Sequence, residues 1–122
     1  MKFERGYARA LVSADPVAAI RELARDPQID ADTRARLAAA DADGIRLSAL
    51  LITRLRFERL LRASPEAERW FDEDPEAFTA AFRAYHHAVP PAAFFPRDEA
   101  RAFAAWRARE SGAAPRRSRS RR

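Results

Sequence analysis

The chain of 122 residues has no cysteine, one methionine, three glycines and a single lysine, Lys2. Without thiols there are no disulfides, no thiolate metal ligands and no cysteine nucleophile, and nothing ties the protein to an oxidising compartment. Gly6, Gly44 and Gly112 stand far apart, so no glycine-rich loop can gather backbone N–H groups around a phosphate. No apolar run follows Lys2 and Arg5 as a secretory signal requires, and the expectation is a cytoplasmic protein. Also missing is any apolar–polar alternation long enough for a strand, whereas segments of helical period recur along the chain. An all-α fold follows.

The most concentrated apolar stretch is 45–61. Its Ile45, Leu47, Leu50, Leu51, Ile52, Leu55, Phe57, Leu60 and Leu61, placed at ~100° per residue, occupy nearly every sector of a helical wheel. A helix that is apolar all round is a buried one. Arg46, Arg54, Arg56, Arg59 and Arg62 exclude a bilayer span. The sequence therefore predicts a buried central helix over about 44–62, wrapped most completely from Ile45 to Thr53 and wet on one side from Arg54 onward. Leu51→Ala should then cost about 2–5 kcal/mol.

Six to seven short helices are expected around it, forming one domain over residues 1–110. Proline supplies the punctuation. Asp15-Pro16, Ser64-Pro65 and Asp74-Pro75 each put a capping oxygen before a proline, the arrangement that starts a helix. The spacing predicts helices over Phe3–Ala14, Pro16–Arg25, Ala31–Ala40 (capped by Asp30), Pro65–Phe71, Pro75–His87 and Pro96–Arg109. Asp43 is the expected cap of the central helix. In the Pro75 helix, Phe78, Ala81, Phe82 and Tyr85 share one face.

The net charge of +5 is local. Residues 116–122 read RRSRSRR; removing those five arginines from the 23 basic residues leaves 18, against 18 acidic ones, so the rest of the chain is neutral. Residues 111–122 are expected to be a disordered tail. Arg116, Arg117, Arg119, Arg121 and Arg122 could contact about five phosphates, giving weak, salt-sensitive, sequence-blind binding of nucleic acid. Arginine in place of lysine and abundant alanine fit a GC-rich, bacterial genome.

Residues able to do chemistry are sparse. His86 and His87 are adjacent, so on a helix they diverge by ~100° and do not converge on one metal. Glu66, Glu68, Asp72, Glu73, Asp74 and Glu76 crowd two helix starts, where the macrodipole accounts for them. No metal site, cofactor or catalytic set is expected, and the reading is a chain that is not an enzyme.

The segment Ala88-Val-Pro-Pro-Ala-Ala-Phe-Phe-Pro96 carries no charged or hydrogen-bonding side chain, unlike most loops. Its prolines hold it extended. Phe94 and Phe95 either cover the central helix or stay exposed to meet another protein. On the second reading the docking surface comprises Val89, Pro90, Pro91, Phe94 and Phe95, with neighbouring Tyr85, Phe103 and Trp106. The partner would be another protein, with nucleic acid through the tail as the alternative and no membrane.

Several features between Arg56 and Trp106 carry a family likeness: the Asp74-Pro75 helix with Phe78 and Phe82, the Tyr85-His86 end, and Pro90-Pro91 before Phe103 and Trp106. In these the chain is similar to small helical partner proteins encoded beside multinuclear non-haem iron enzymes that oxidise ribosomal peptides. The resemblance covers under half of the chain. It implies a non-catalytic accessory subunit that docks on such an iron-dependent peptide-modifying enzyme and recruits its substrate peptide, the iron belonging to the partner.

Overall fold

The computed structural model describes residues 2–91 and 95–113, and among them it contains seven helices and no strand. They are α1 (Lys2–Leu11), α2 (Pro16–Leu23), α3 (Ala31–Ala39), α4 (Ala42–Ala63), α5 (Pro65–Glu73), α6 (Pro75–Ala88) and α7 (Pro96–Ala113). The expected all-α bundle is present.

Local chemistry sets most boundaries. Asp15, Asp30, Ser64 and Asp74 each accept the backbone N–H three residues ahead, at 3.0–3.2 Å. Pro16, Pro65 and Pro75 sit in the first turn of their helices, where a missing N–H costs nothing. The central helix starts earlier than expected: Asp41, not Asp43, is its cap, accepting from Gly44 N at 2.9 Å. Asp43 then lies inside the first turn, where a carboxylate still favours the helix dipole. α1 stops at Leu11, three residues short of Ala14, because residues 13–15 bend into the Asp15-Pro16 start of α2 and a residue before proline avoids helical backbone. α7 runs past the expected Arg109 to Ala113.

Two buried clusters share α4. Towards its start, Ile45 packs with Ala10, Leu11, Ile20 and Leu37 of α1, α2 and α3, flanked by Val17, Leu23 and Ile52. Towards its end, Leu60 packs with Ala67, Phe78, Phe82, Tyr85 and Phe103 of α5, α6 and α7, flanked by Phe57, Leu61, Trp70 and Trp106. α7 is the helix with which α4 is most extensively in contact. No described helix is long and apolar enough to cross a membrane.

α4 is central but not wrapped. Its fully buried positions are Ile45, Ala49, Arg56 and Leu60, whereas Leu47, Leu50, Leu51 and Leu55 are 47–59% exposed. The expectation of a helix buried all round is therefore corrected: bundle helices occupy one side, and among the described residues nothing packs on the opposite side. Leu51 in particular, at 56% exposed, is not a core residue. The half predicted to be wettest contains the most deeply buried side chain of the helix after Leu60, Arg56.

Candidate functional site

Arg56 is 1% exposed and lies at the meeting point of α4, α6 and α7. Its Nε and Nη2 both donate to Oε2 of Glu99, at 3.1 and 2.9 Å. Its Nη1 donates to the Val89 carbonyl at 2.7 Å and meets His86 Nδ1 at 3.2 Å. The guanidinium also stands over the Tyr85 ring, 4.7 Å from its centroid, and the Tyr85 hydroxyl donates to the same Glu99 oxygen. Arginine can only donate, so His86 accepts at Nδ1 and carries its proton on Nε2. That Nε2–H donates to Thr53 Oγ1 at 3.0 Å, and the Thr53 hydroxyl donates to the Ala49 carbonyl at 2.8 Å. The directions are consistent along the whole chain of bonds.

Burial and the Arg56 charge beside it push the His86 imidazole down to about 4, with His87 adding a smaller push. Burial, then the bond to Glu99, raises the Tyr85 phenol above its ordinary range. Both shifts leave these two groups neutral at physiological pH, while Arg56 and Glu99 form an ion pair. Glu99 Oε1 accepts no hydrogen bond, and the Arg59 guanidinium approaches it to 3.9 Å. Two surface grooves, about 590 Å³ between α1 and α2 and about 440 Å³ between α5 and α7, are lined by none of Arg56, Tyr85, His86 or Glu99. The cluster joins three helices and pins the start of the proline segment through Val89. Among the described residues no group of three acidic or histidine side chains is placed to hold a metal. His87 is separate, its Nδ1 donating to the Val12 carbonyl at 2.6 Å.

The predicted docking set is divided by the fold. Tyr85 and Phe103 are in the C-terminal core at 0 and 6% exposed, so they cannot touch a partner: the face of α6 that carries Phe78, Phe82 and Tyr85 is its inward face. Trp106 is half-buried, with its ring 5.8 Å from Tyr85 and 6.0 Å from Phe103. Val89, Pro90 and Pro91 are half-buried and Phe95 is exposed. Phe94 lies outside the described residues, as do Arg116, Arg117, Arg119, Arg121 and Arg122. The acidic side chains from Glu66 to Glu76 are all exposed.

What the structure leaves open is instead the outward side of α4. Leu47, Leu51 and Leu55 repeat every four residues, with Leu50 beside them, and together they span an arc of about 140°. Arg54 and Glu58 continue that side towards the C-terminus as an exposed pair 3.6 Å apart. Asp43 and Arg46 form another exposed pair at the other end, at 3.1 Å. The four leucines form one apolar patch with charged pairs at both ends.

Both sites escaped the reading of periodicity for the same reason. Arg56 lies four residues from Ile52 and from Leu60 and seven from Ala49, in the middle of the buried side. That position was the available signal. Its partner Glu99 is 43 residues away, on a helix whose first turn already explains an acid. Comparison with known proteins finds no match to a family model, a curated protein or a solved structure.

Proposed function

We propose that this chain is a non-enzymatic accessory subunit that works by docking, with the outward leucines of α4 as its docking surface. The observation that carries this reading is the exposure of Leu47, Leu50, Leu51 and Leu55 on one side of a 22-residue helix. Burying a leucine contributes about 1.5–3 kcal/mol, so a face of four half-exposed ones has binding energy in reserve. Exposed Phe95 is a second, smaller contact. The resemblance around Arg56–Trp106 extends the proposal to a subunit that brings a peptide substrate to an iron-dependent modifying enzyme.

The test uses the full chain as bait in extract of its native host, beside a Leu47→Gln/Leu55→Gln variant with unchanged helicity. The reading expects a stoichiometric protein partner that survives high salt and is lost with the variant. Equal recovery by both chains would overturn the α4 assignment. Salt-sensitive nucleic acid, lost only when residues 114–122 are removed, would transfer the function to the five terminal arginines.

A further inference from the structure

We infer that the occupant of the α4 leucine face is a second copy of this chain, packed antiparallel about a two-fold axis at Leu51. This rests on the docking reading above: the leucine face pairs two copies in the free chain, and a different protein docks there by displacing the second copy. A two-fold interface uses the same patch on both copies, so the patch must be complementary to itself. The outward side of α4 meets that condition. Leu47 and Leu55 lie four residues to either side of Leu51, so an antiparallel partner centred there sets Leu51 against Leu51 and each Leu47 against a Leu55.

The charges at the ends select the same direction. Asp41, Asp43 and Arg46 leave the start of α4 net acidic, and Arg54, Glu58 and exposed Arg62 leave its end net basic, with Arg59 turned towards Glu99 of its own chain. The antiparallel arrangement therefore brings the acidic start of each helix beside the basic end of the other, which adds attraction and fixes register. It also opposes the two helix dipoles. A parallel arrangement would stack acid on acid and base on base. Gly44, seven residues before Leu51, falls opposite Glu58, seven residues after. A Cβ built on Gly44 would meet nothing nearer than its own Asp41 side chain, at 3.6 Å, so that side of the backbone is open.

The absence of cysteine makes the geometry directly testable. In the intact chain, single variants Leu51→Cys and Leu47→Cys are oxidised separately, then Leu47→Cys is mixed with Leu55→Cys. Two Leu51→Cys chains should join across the axis, and the mixed pair should join to each other. Leu47→Cys alone should not, because its two copies stand about 12 Å apart at 1.5 Å per residue, beyond disulfide reach. Light scattering from micromolar to millimolar concentration should show the mass doubling, and Leu51→Glu should return it to monomer with helicity intact. Efficient self-linking of Leu47→Cys, or a dimer that survives Leu51→Glu, would overturn the proposed packing. A wild-type chain that stays monomeric throughout would overturn the dimer alone, since capture of a different protein through the same leucines is measured separately.

Discussion

The two halves of the molecule hold α4 by different means. At its N-terminal end the contacts are aliphatic: Ile45 against Ala10, Leu11, Ile20 and Leu37. Such packing is non-directional and tolerates exchange of similar volumes. At its C-terminal end the contacts are aromatic and ionic. Phe57 meets Phe71, Phe78 and Phe82 edge-on at 5.1–5.7 Å, and Arg56 ties three elements together through Glu99, His86 and Val89. Edge-to-face rings and charge-assisted bonds depend on angle as well as volume. One half is held by bulk, the other by geometry.

The sharpest way to break that contrast is Arg56→Leu, which leaves Glu99 charged and buried without its partner. We expect a loss of about 3–5 kcal/mol, read as a lowered urea midpoint. Adding Glu99→Leu should recover most of it, because a buried pair replaced entirely by apolar side chains is often neutral or better. If the double variant is as unstable as the single, the cluster is not held as an ion pair.

Acid should act next, and between pH 7 and 5 it should act through the C-terminal half. His86 titrates near 4 when folded, against ~6.5 for a free imidazole. Between those values the unfolded chain binds more protons, so the contribution is complete above pH 6.5 and is lost as pH falls towards 4. By pH 5 the loss should reach about 2 kcal/mol. His86→Asn, whose amide oxygen can still accept from Arg56, should flatten the decline in urea midpoint between pH 7 and 5. An unchanged slope in that variant would assign the acid sensitivity elsewhere.

Ile20→Val, in the aliphatic half, should cost only about 0.5–1.5 kcal/mol, with no change in near-ultraviolet signal from the C-terminal aromatics. Smallest of all should be Leu51→Ala. In the monomer it is a surface substitution and should shift stability by under about 0.5 kcal/mol. A loss of several kcal/mol that grows with protein concentration would instead measure the interface.

Much of the architecture is local and so was legible. Asp15, Asp30, Ser64 and Asp74 start helices where their side chains reach an N–H three residues on, a relation contained within one turn. The inward face of α6 was equally plain from Phe78, Phe82 and Tyr85. That face gives Tyr85 to the core and α7 gives Phe103, although the nearness of both to the proline segment in sequence suggests a shared docking surface. The leucines of α4 misled in the opposite sense. Periodicity records which positions are apolar, and it cannot distinguish a side covered by the same chain from one left open. Arg56 is the third case: its spacing from Ala49, Ile52 and Leu60 marks it as inward-facing, but its partner Glu99 comes from another helix and no local pattern names it.

The 43 residues between Arg56 and Glu99 also set an order on synthesis. By the time α4 has left the ribosome, every member of the aliphatic cluster, from Ala10 to Ile52, is available to consolidate. The C-terminal half of α4 must wait, with Arg56 uncompensated, until α7 follows. At about 5–20 residues per second, that interval lasts roughly two to nine seconds. During it, α5 and α6 emerge and can cover Phe57 and Leu60, while the place that α7 takes beside Arg56 stays open. The nascent chain is then a half-folded protein presenting a long leucine-rich helix, and that is the window in which a chaperone or a neighbouring nascent copy would find it.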